Sequence, residues 1–226
     1  MSRPAVLFLV IFTPILAILL ALLGVMTIPE NTLGWFLLLT GLIYSLGLIV
    51  IYWKRRERFW EPEIDGEKTG EELGDRSFWL IAAAMMAAFY FSPLEYIYFA
   101  GSLPRGSFLQ YTGLSLILLG AALFVWALRT LGSSFSGHVS VKRGQELVRS
   151  GPYKHIRHPT YTGYLLMALG ISLGYSSLAG LASVLLFLVP SVVYRLQVEE
   201  KLLASRFGEK YLDYKIKTKK LIPGLW

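Results

Sequence analysis

Six runs of between 16 and 24 residues, with hardly a charged side chain among them, constrain this chain more than any other feature. Backbone N–H and C=O groups in hydrocarbon must be satisfied within the segment itself, so runs of this length read as helices that cross a bilayer or nearly do. Only 16% of the 226 residues are charged, against about 25% in an ordinary soluble domain. The expected architecture is therefore an all-α integral membrane protein with about six transmembrane helices, at 4–26, 33–53, 78–99, 108–131, 159–174 and 178–194. The first run is too long for the apolar core of a signal peptide, about 7 to 15 residues, and is read as a retained span. The last two are short. At about 1.5 Å per residue, residues 160–174 cover about 22 Å of a core about 30 Å thick. They are expected to form a short helical hairpin, with Gly170, Gly174 and Gly180 allowing close approach. A cytoplasmic C-terminal amphipathic helix follows, because Leu196, Leu203 and Phe207 recur at helical spacing before Gly208 can end the run.

Orientation follows from the basic residues. With an even number of spans, 21 of the 22 Lys and Arg fall on one side, and only Arg105 lies opposite. That side is cytoplasmic by the positive-inside rule, with both termini on it. The net charge of +7 then belongs to a membrane face beside anionic headgroups rather than to a nucleic-acid footprint, so no nucleic acid is expected as a partner. The chain divides into 1–128, the N-terminal transmembrane helices with a cytoplasmic loop at 54–76, and 129–226, where the chemistry concentrates. The loop carries eight acids and six bases and reads as a solvated linker, with Phe59 and Trp60 at the interface. In the third span Pro93 and Glu95 interrupt an apolar run. A buried ionisable group there marks a functional position by default, but Glu95 lies near the outer end, where a structural role is favoured. Pro93 can kink the helix and shape a lipid-facing groove. Tyr164, Tyr175 and Tyr194 read as interfacial tyrosines.

Cysteine is absent, which excludes disulfides, thiolate nucleophiles and Cys-ligated metals; no metal is expected. The densest polar stretch is GPYKHIRHPTYTG, residues 151–163, between a polar loop and the fifth span. Gly144 and Gly151 break the preceding segment, which is expected to be ordered loop. Pro159 suits the first turn of a helix, where its missing N–H costs nothing. The free N–H groups of that turn then face the interface beside Arg157 and His158, which makes an anion site. His158 alone would read as a capping or interfacial residue, and His138 and His155 as loop residues. On the other hairpin arm Arg195, Glu199 and Glu200 sit where the helix leaves the apolar zone. By spacing alone, Arg195 and Glu199 could be a surface ion pair, but the two charged clusters should meet on one face of the membrane.

At these residues the sequence resembles the isoprenylcysteine carboxyl methyltransferase family, which is related to membrane phospholipid methyltransferases. The resemblance rests on GPYKHIRHPTYTG preceded by ELV, and on RLQVEEKLLASRFGEKYLDY and LIP some forty residues later; it covers 129 to the C-terminus. It implies a membrane-embedded enzyme that uses S-adenosylmethionine as cofactor without a Rossmann domain. Carried over, Leu147, Val148, Gly151 and Tyr153 line the cofactor pocket, Arg157, His158 and Tyr161 hold its polar groups, and Glu199 and Glu200 close the site. Arg195 and Glu199 are the residues nearest the reaction. Where the family often has histidine before its ELV element, this chain has Gln145, which can hydrogen-bond but cannot carry charge.

The residue types suit methyl transfer, an in-line displacement in which the protein mainly positions reactants. Glutamates can meet the cofactor's ammonium or ribose, a tyrosine ring its cation, and Arg157 its carboxylate. The substrate implied is lipophilic or prenylated and enters from membrane lipid. A prenylcysteine carboxylate needs only orientation, by Arg195, whereas an amine lipid needs a base, for which a glutamate is the candidate. A phospholipid or small-thiol acceptor, a sterol-reductase-like enzyme using NADPH, and a non-enzymatic transporter or scaffold are the competing readings.

Overall fold

The computed structural model describes residues 77–99, 103–104, 106–134 and 145–224. The first two expected spans, the loop 54–76 with Phe59 and Trp60, Arg105 and His138 lie outside the described residues. Within them the protein is all-helical and holds no strand, only an isolated parallel bridge between Ile156 and Lys219. We number the helices α1 (Ser77–Tyr98), α2 (Ser107–Leu131), α3 (Pro159–Gly174), α4 (Leu178–Phe207) and α5 (Glu209–Lys217). Short 3-10 turns lie at Gly132–Ser134 and Gly151–Lys154. Residues 145–150 are irregular, as the broken sequence pattern suggests.

Helices α2 and α4, of 25 and 30 residues, are long and apolar enough to cross a membrane. Helix α2 stops where Gly132 turns left-handed (φ +54°) and returns its N–H to Leu128 O, a stop that glycine makes at no steric cost. Helix α4 has a wider turn at Val184–Leu188, in which Val189 N–H reaches back to Val184 O. It lies directly before Pro190, which has no N–H to offer the preceding turn. Beyond Tyr194 the same helix runs on through Arg195, Glu199 and Glu200 to Phe207, and Gly208 (φ +54°) ends it.

Two seams of small residues set the packing. In lipid, helices gain little from hiding apolar surface, so backbones that can approach closely decide which faces meet. Gly113 and Gly120 of α2 face Gly163, Gly170 and Gly174 of α3. A Cβ on Gly170 would stand 2.5 Å from Gly113 O, and one on Gly163 2.8 Å from Gly120 O. On α1, Ala84, Ala88 and Ser92 are four apart and fully buried, and Ser92 lies against Gly180 of α4 and Ser172 of α3. The expectation for the hairpin glycines therefore needs correction. Only Gly180 serves the α3–α4 approach; Gly170 and Gly174 are spent on α2, because their bare faces match Gly113.

Glu95 has a structural role. Its carboxylate accepts hydrogen bonds from Ser177 Oγ at 2.5 Å and from the backbone N–H of Ala179 at 2.8 Å, while Ser177 Oγ caps Gly180 N–H at 2.8 Å. An acceptor oxygen on the first turn of α4 satisfies an N–H group that the helix leaves open. Helix α1 continues through Pro93 to Tyr98, and Pro93 itself is buried. Of the three tyrosines expected at the interface only Tyr194 is exposed. Tyr175 is buried edge-on to Tyr96 with centroids 5.7 Å apart, and Tyr164 packs on Phe124 at 4.9 Å.

Gly170→Ala is expected to lower stability by about 1–3 kcal/mol, the usual range for overpacking, because its Cβ meets backbone on α2. Gly106→Ala, with nothing within 4 Å and an extended backbone at the α2 N-cap, serves as control. Thermal melting in detergent separates them, and equal melting would show that the seam is not tight.

Candidate active site

The polar end of the bundle is assembled from three pieces: the turn and loop leading into α3, the part of α4 beyond Tyr194, and the C-terminal tail. Pro159 opens α3 and fixes the chain direction there. His158, Tyr161 and Thr162 then stand on its first turn. Residues 195 and 199 share one side of α4, because positions four apart stack on a helix, and Glu200 follows about 100° further round. The tail comes back along the loop. Arg157 N–H donates to Lys219 O at 2.8 Å, His158 N–H to Lys220 O at 3.1 Å, and Lys219 N–H to His155 O at 3.3 Å.

A buried ion pair ties these pieces together. Arg157 Nε donates to Glu200 Oε1 at 3.0 Å and Nη2 stands 2.9 Å from the same oxygen. Its Nη1 donates to Lys215 O at 3.1 Å and to Thr218 O. Lys215 Nζ and Lys220 Nζ each lie 3.6 Å from Glu200 Oε2. Burial by itself works against the Glu200 charge, but His158 and Arg157 beside it prevail and hold this carboxyl down to about 2. Glu200 lies beyond the apolar stretch of α4, which ends at Tyr194.

Glu199, one residue earlier, belongs to a different network. Tyr161 Oη donates to Glu199 Oε2 at 2.9 Å and accepts from Arg195 Nε at 3.0 Å. Arg195 is buried at 5% exposure, while the Glu199 side chain keeps 30%. His158 lies between the two glutamates, its Nδ1 3.8 Å from Glu199 Oε2 and its Nε2 3.6 Å from Glu200 Oε1. Its Nε2 is buried without a hydrogen-bond partner, a state that costs free energy unless something fills it. Tyr153 is buried below the tail and accepts at its backbone O from Tyr214 Oη, at 2.6 Å. Burial, and then the Glu199 charge, push its phenol up, so it stays protonated.

Seven of the residues singled out in the sequence, Tyr153, Arg157, His158, Tyr161, Arg195, Glu199 and Glu200, thus occupy one cluster. Gln145, Leu147 and Val148 are half-buried on the segment that precedes it. Gly151 (φ +57°) fits the loop against Thr130 and Trp126 of α2; a Cβ there would stand 2.7 Å from Thr130 Oγ1. The expected grip of Arg157 on a ligand carboxylate is not what the geometry shows, because this guanidinium is committed to Glu200 and to tail carbonyls. The tail residues Tyr211, Tyr214, Lys215, Thr218 and Lys220 were missed. Their one signal was Tyr211 and Tyr214 standing three apart among charges, the buried stripe of a short helix. Among the described residues no group of His, Asp and Glu is arranged to hold a metal.

An all-helical membrane bundle with a polar cluster of this composition at one end defines a class, and a family model described as "Phospholipid methyltransferase" matches residues 109–210. Protein-S-isoprenylcysteine O-methyltransferase B of Arabidopsis thaliana is 32% identical over 145 residues, covering 60% of this chain and 71% of that protein. The Schizosaccharomyces pombe protein-S-isoprenylcysteine O-methyltransferase is 36% identical over 119 residues, 50% of this chain and 49% of its own length. The Saccharomyces cerevisiae protein of the same name is 34% identical over 113 residues, 49% and 47%. The chain thus spans about half the length of the two yeast relatives. A solved structure, the eukaryotic intramembrane Ras methyltransferase isoprenylcysteine carboxyl methyltransferase, shares the fold with a TM-score of 0.64 at 21% identity, over 93% of this chain and 74% of that one. This chain belongs to the protein-S-isoprenylcysteine O-methyltransferase family of membrane methyltransferases.

Removing Arg157 leaves the Glu200 carboxylate buried without its main partner, which typically costs about 3–5 kcal/mol. Arg157→Met should therefore melt well below wild type, and an unchanged melting temperature would deny the pair its role. Glu200 also links stability to pH. A carboxyl held below its ordinary 4.5 contributes stability that is present above 4.5 and is lost as pH falls toward 2. Denaturant titrations over that window should slope for wild type and flatten for Glu200→Gln.

Proposed function

We propose that this protein is an S-adenosylmethionine-dependent methyltransferase that esterifies the carboxylate of an isoprenylcysteine-type substrate, with residues 129–226 as its cofactor-binding region. The observation that carries the reading is the Arg195–Tyr161–Glu199 relay at the point where α3 and α4 leave the apolar zone. It offers a fixed cation and a partly exposed anion side by side, next to lipid. The family relationship supports methyl transfer to such a carboxyl, and the basic loops support a cytoplasm-facing site with both termini on that side.

The residues fit the cofactor. The unpartnered His158 Nε2 is a buried polar atom awaiting a partner, and Glu199 retains exposed carboxylate for an ammonium or a ribose hydroxyl. Tyr153 and Tyr161 present rings suited to a cation. Leu147, Val148 and Gly151 provide the apolar and close-fitting wall, and Gln145 a neutral hydrogen-bonding group. Glu200 acts through its neighbours, holding Arg157 and His158 in place. S-adenosylmethionine, when bound, supplies an electrophilic methyl group on a sulfonium.

The acceptor carboxylate is ionised near neutral pH, so the protein has no proton to remove. Its task is orientation, and the Arg195 guanidinium, pinned at Nε by Tyr161, is the group that holds the carboxylate in line. Burial of Arg195 strengthens that attraction over what an exposed arginine offers. Tyr161 in turn fixes Glu199, so that one hydroxyl sets the spacing between the Arg195 cation that faces the acceptor and the glutamate on the cofactor side. The competing NADPH reading asks for spare positive charge near the phosphates, whereas Arg157, Lys215 and Lys220 are turned toward Glu200.

Two measurements test this reading. Purified protein in nanodiscs should transfer a radiolabelled methyl group to a prenylcysteine analogue, and alkali should release the label as methanol, as an ester must. Alkali-stable label on an amine lipid or a thiol, or stabilisation by NADPH in place of S-adenosylhomocysteine, would sink the proposal. His158→Ala and Glu199→Ala are expected to weaken S-adenosylhomocysteine binding while keeping near-normal melting. Arg195→Lys should lower kcat/KM on the order of 10²-fold, since a single charge cannot reproduce a pinned, forked donor.

A further inference from the structure

The C-terminal end of the structure presents apolar side chains where a soluble surface would not. On α5, Tyr211 and Tyr214 face inward, while Ile216 is 84% exposed and Leu212, one turn before it, 51%. Ile222 follows on the tail at 48%. Between and beside them stand Lys215, Lys217, Lys219 and Lys220.

The depth of this segment is set by its contacts. Past Tyr194, α4 climbs for 13 residues to Phe207, about 20 Å at the helical rise. The chain then turns at Gly208 and comes back. By residue 221 it has returned to the start of α3: Thr162 Oγ1, in the first turn of that helix, donates to Leu221 O at 2.8 Å. Leu221 is buried in the same core as Ile81, Ala84, Val184, Leu188 and Val192, which lie in the apolar stretches of α1 and α4. Ile222 is therefore level with the first turn of a membrane helix, and Ile216 lies between it and the top of α4.

From this placement we infer that the segment from Ile216 to Ile222 is a docking element for anionic phospholipid. Ile216 and Ile222 enter the headgroup boundary, and Lys217 and Lys219 meet lipid phosphates. A run of four lysines in six residues among exposed isoleucines complements a negatively charged leaflet, where each lysine near the surface gains about 1 kcal/mol. Apolar side chains at that depth supply the non-electrostatic part of the attachment. The element connects to the site through the tail: Lys215 and Lys220 approach Glu200 Oε2, and Lys219 and Lys220 pair with the loop at Arg157 and His158. Lipid contact thus holds in place the strap that carries Lys215, Thr218 and Lys220, all partners of the Arg157–Glu200 pair. The inference needs the chain to be membrane-embedded and the tail to face an anionic leaflet; it does not depend on which acceptor is methylated.

Because the chain has no cysteine, a single introduced one is a unique label. Ile216→Cys, Ile222→Cys and, near the far end of α4 where Ser205 is exposed, Ser205→Cys would each carry a nitroxide in nanodiscs of phosphatidylcholine alone or with one third phosphatidylserine. Accessibility is then read by power saturation against oxygen and a water-soluble nickel chelate. Labels at 216 and 222 should favour oxygen, that at 205 the chelate, and phosphatidylserine should deepen the first two. Lys217→Gln with Lys219→Gln should abolish the deepening without changing the melting temperature. Higher chelate than oxygen accessibility at both 216 and 222 in either lipid would overturn the inference. Dipolar broadening that disappears on dilution with unlabelled protein would instead assign the patch to a second copy of the chain. Methyl-transfer activity measured on the same discs keeps the two proposals apart, since an active enzyme with a water-exposed tail fails only this one.

Discussion

The Arg157–Glu200 ion pair is the interaction on which the polar end of this protein depends. An arginine and a glutamate out of water are each costly, and they are tolerable only when every donor and lone pair is met. Here the guanidinium meets the Glu200 carboxylate together with carbonyls of Lys215 and Thr218, while Lys215 and Lys220 close the other side of the carboxylate. The pair joins three segments far apart in sequence: the loop before α3, the extension of α4, and the tail. Leu196 and Leu221 carry the apolar core up to this end, and the charges add the defined geometry that apolar contact alone does not specify.

Below it, the membrane part is organised by absence of side chain. Gly113 and Gly120 against Gly163 and Gly170 bring α2 and α3 to backbone contact, and Ala84, Ala88 and Ser92 do the same for α1. Close seams fix the rotation of each helix about its own axis. The rotation of α3 decides that His158, Tyr161 and Thr162 face α4 and the tail. Glu95, on the opposite end, fixes the start of α4 through Ser177 and Ala179. Precision at the site thus begins in the bilayer.

Two adjacent glutamates have come to do different things. Neighbouring positions on a helix point about 100° apart, so Glu200 turns into the arginine and the lysines while Glu199 turns toward Tyr161 and keeps exposed surface. His158 lies between them and touches neither at hydrogen-bond length. The arrangement separates a carboxylate that holds the structure from one that keeps exposed surface, and it leaves His158 Nε2 buried without a hydrogen-bond partner.

Much of this was legible in the residues. The apolar runs required membrane helices, Pro159 marked where loop becomes helix, Gly208 marked the end of α4, and GPYKHIRHPTYTG with Arg195, Glu199 and Glu200 named the cluster and, by resemblance, its chemistry. These are local signals: hydropathy over one segment, a proline at one turn, a motif at one spacing. What only the tertiary structure decided were the pairings. Arg157 looked like a ligand-binding group and turned out to be bound to Glu200, because a guanidinium goes to the nearest buried carboxylate and the sequence does not say which that is. Gly170 and Gly174 looked like hairpin glycines and serve α2, since a bare helix face fits any other bare face until three-dimensional register selects one. The tail pairs with the loop through backbone atoms, which every residue possesses and no motif announces. Composition and periodicity determine what each segment can be; which segments meet is settled by geometry, where close packing and the cost of burying an unmatched charge leave one arrangement.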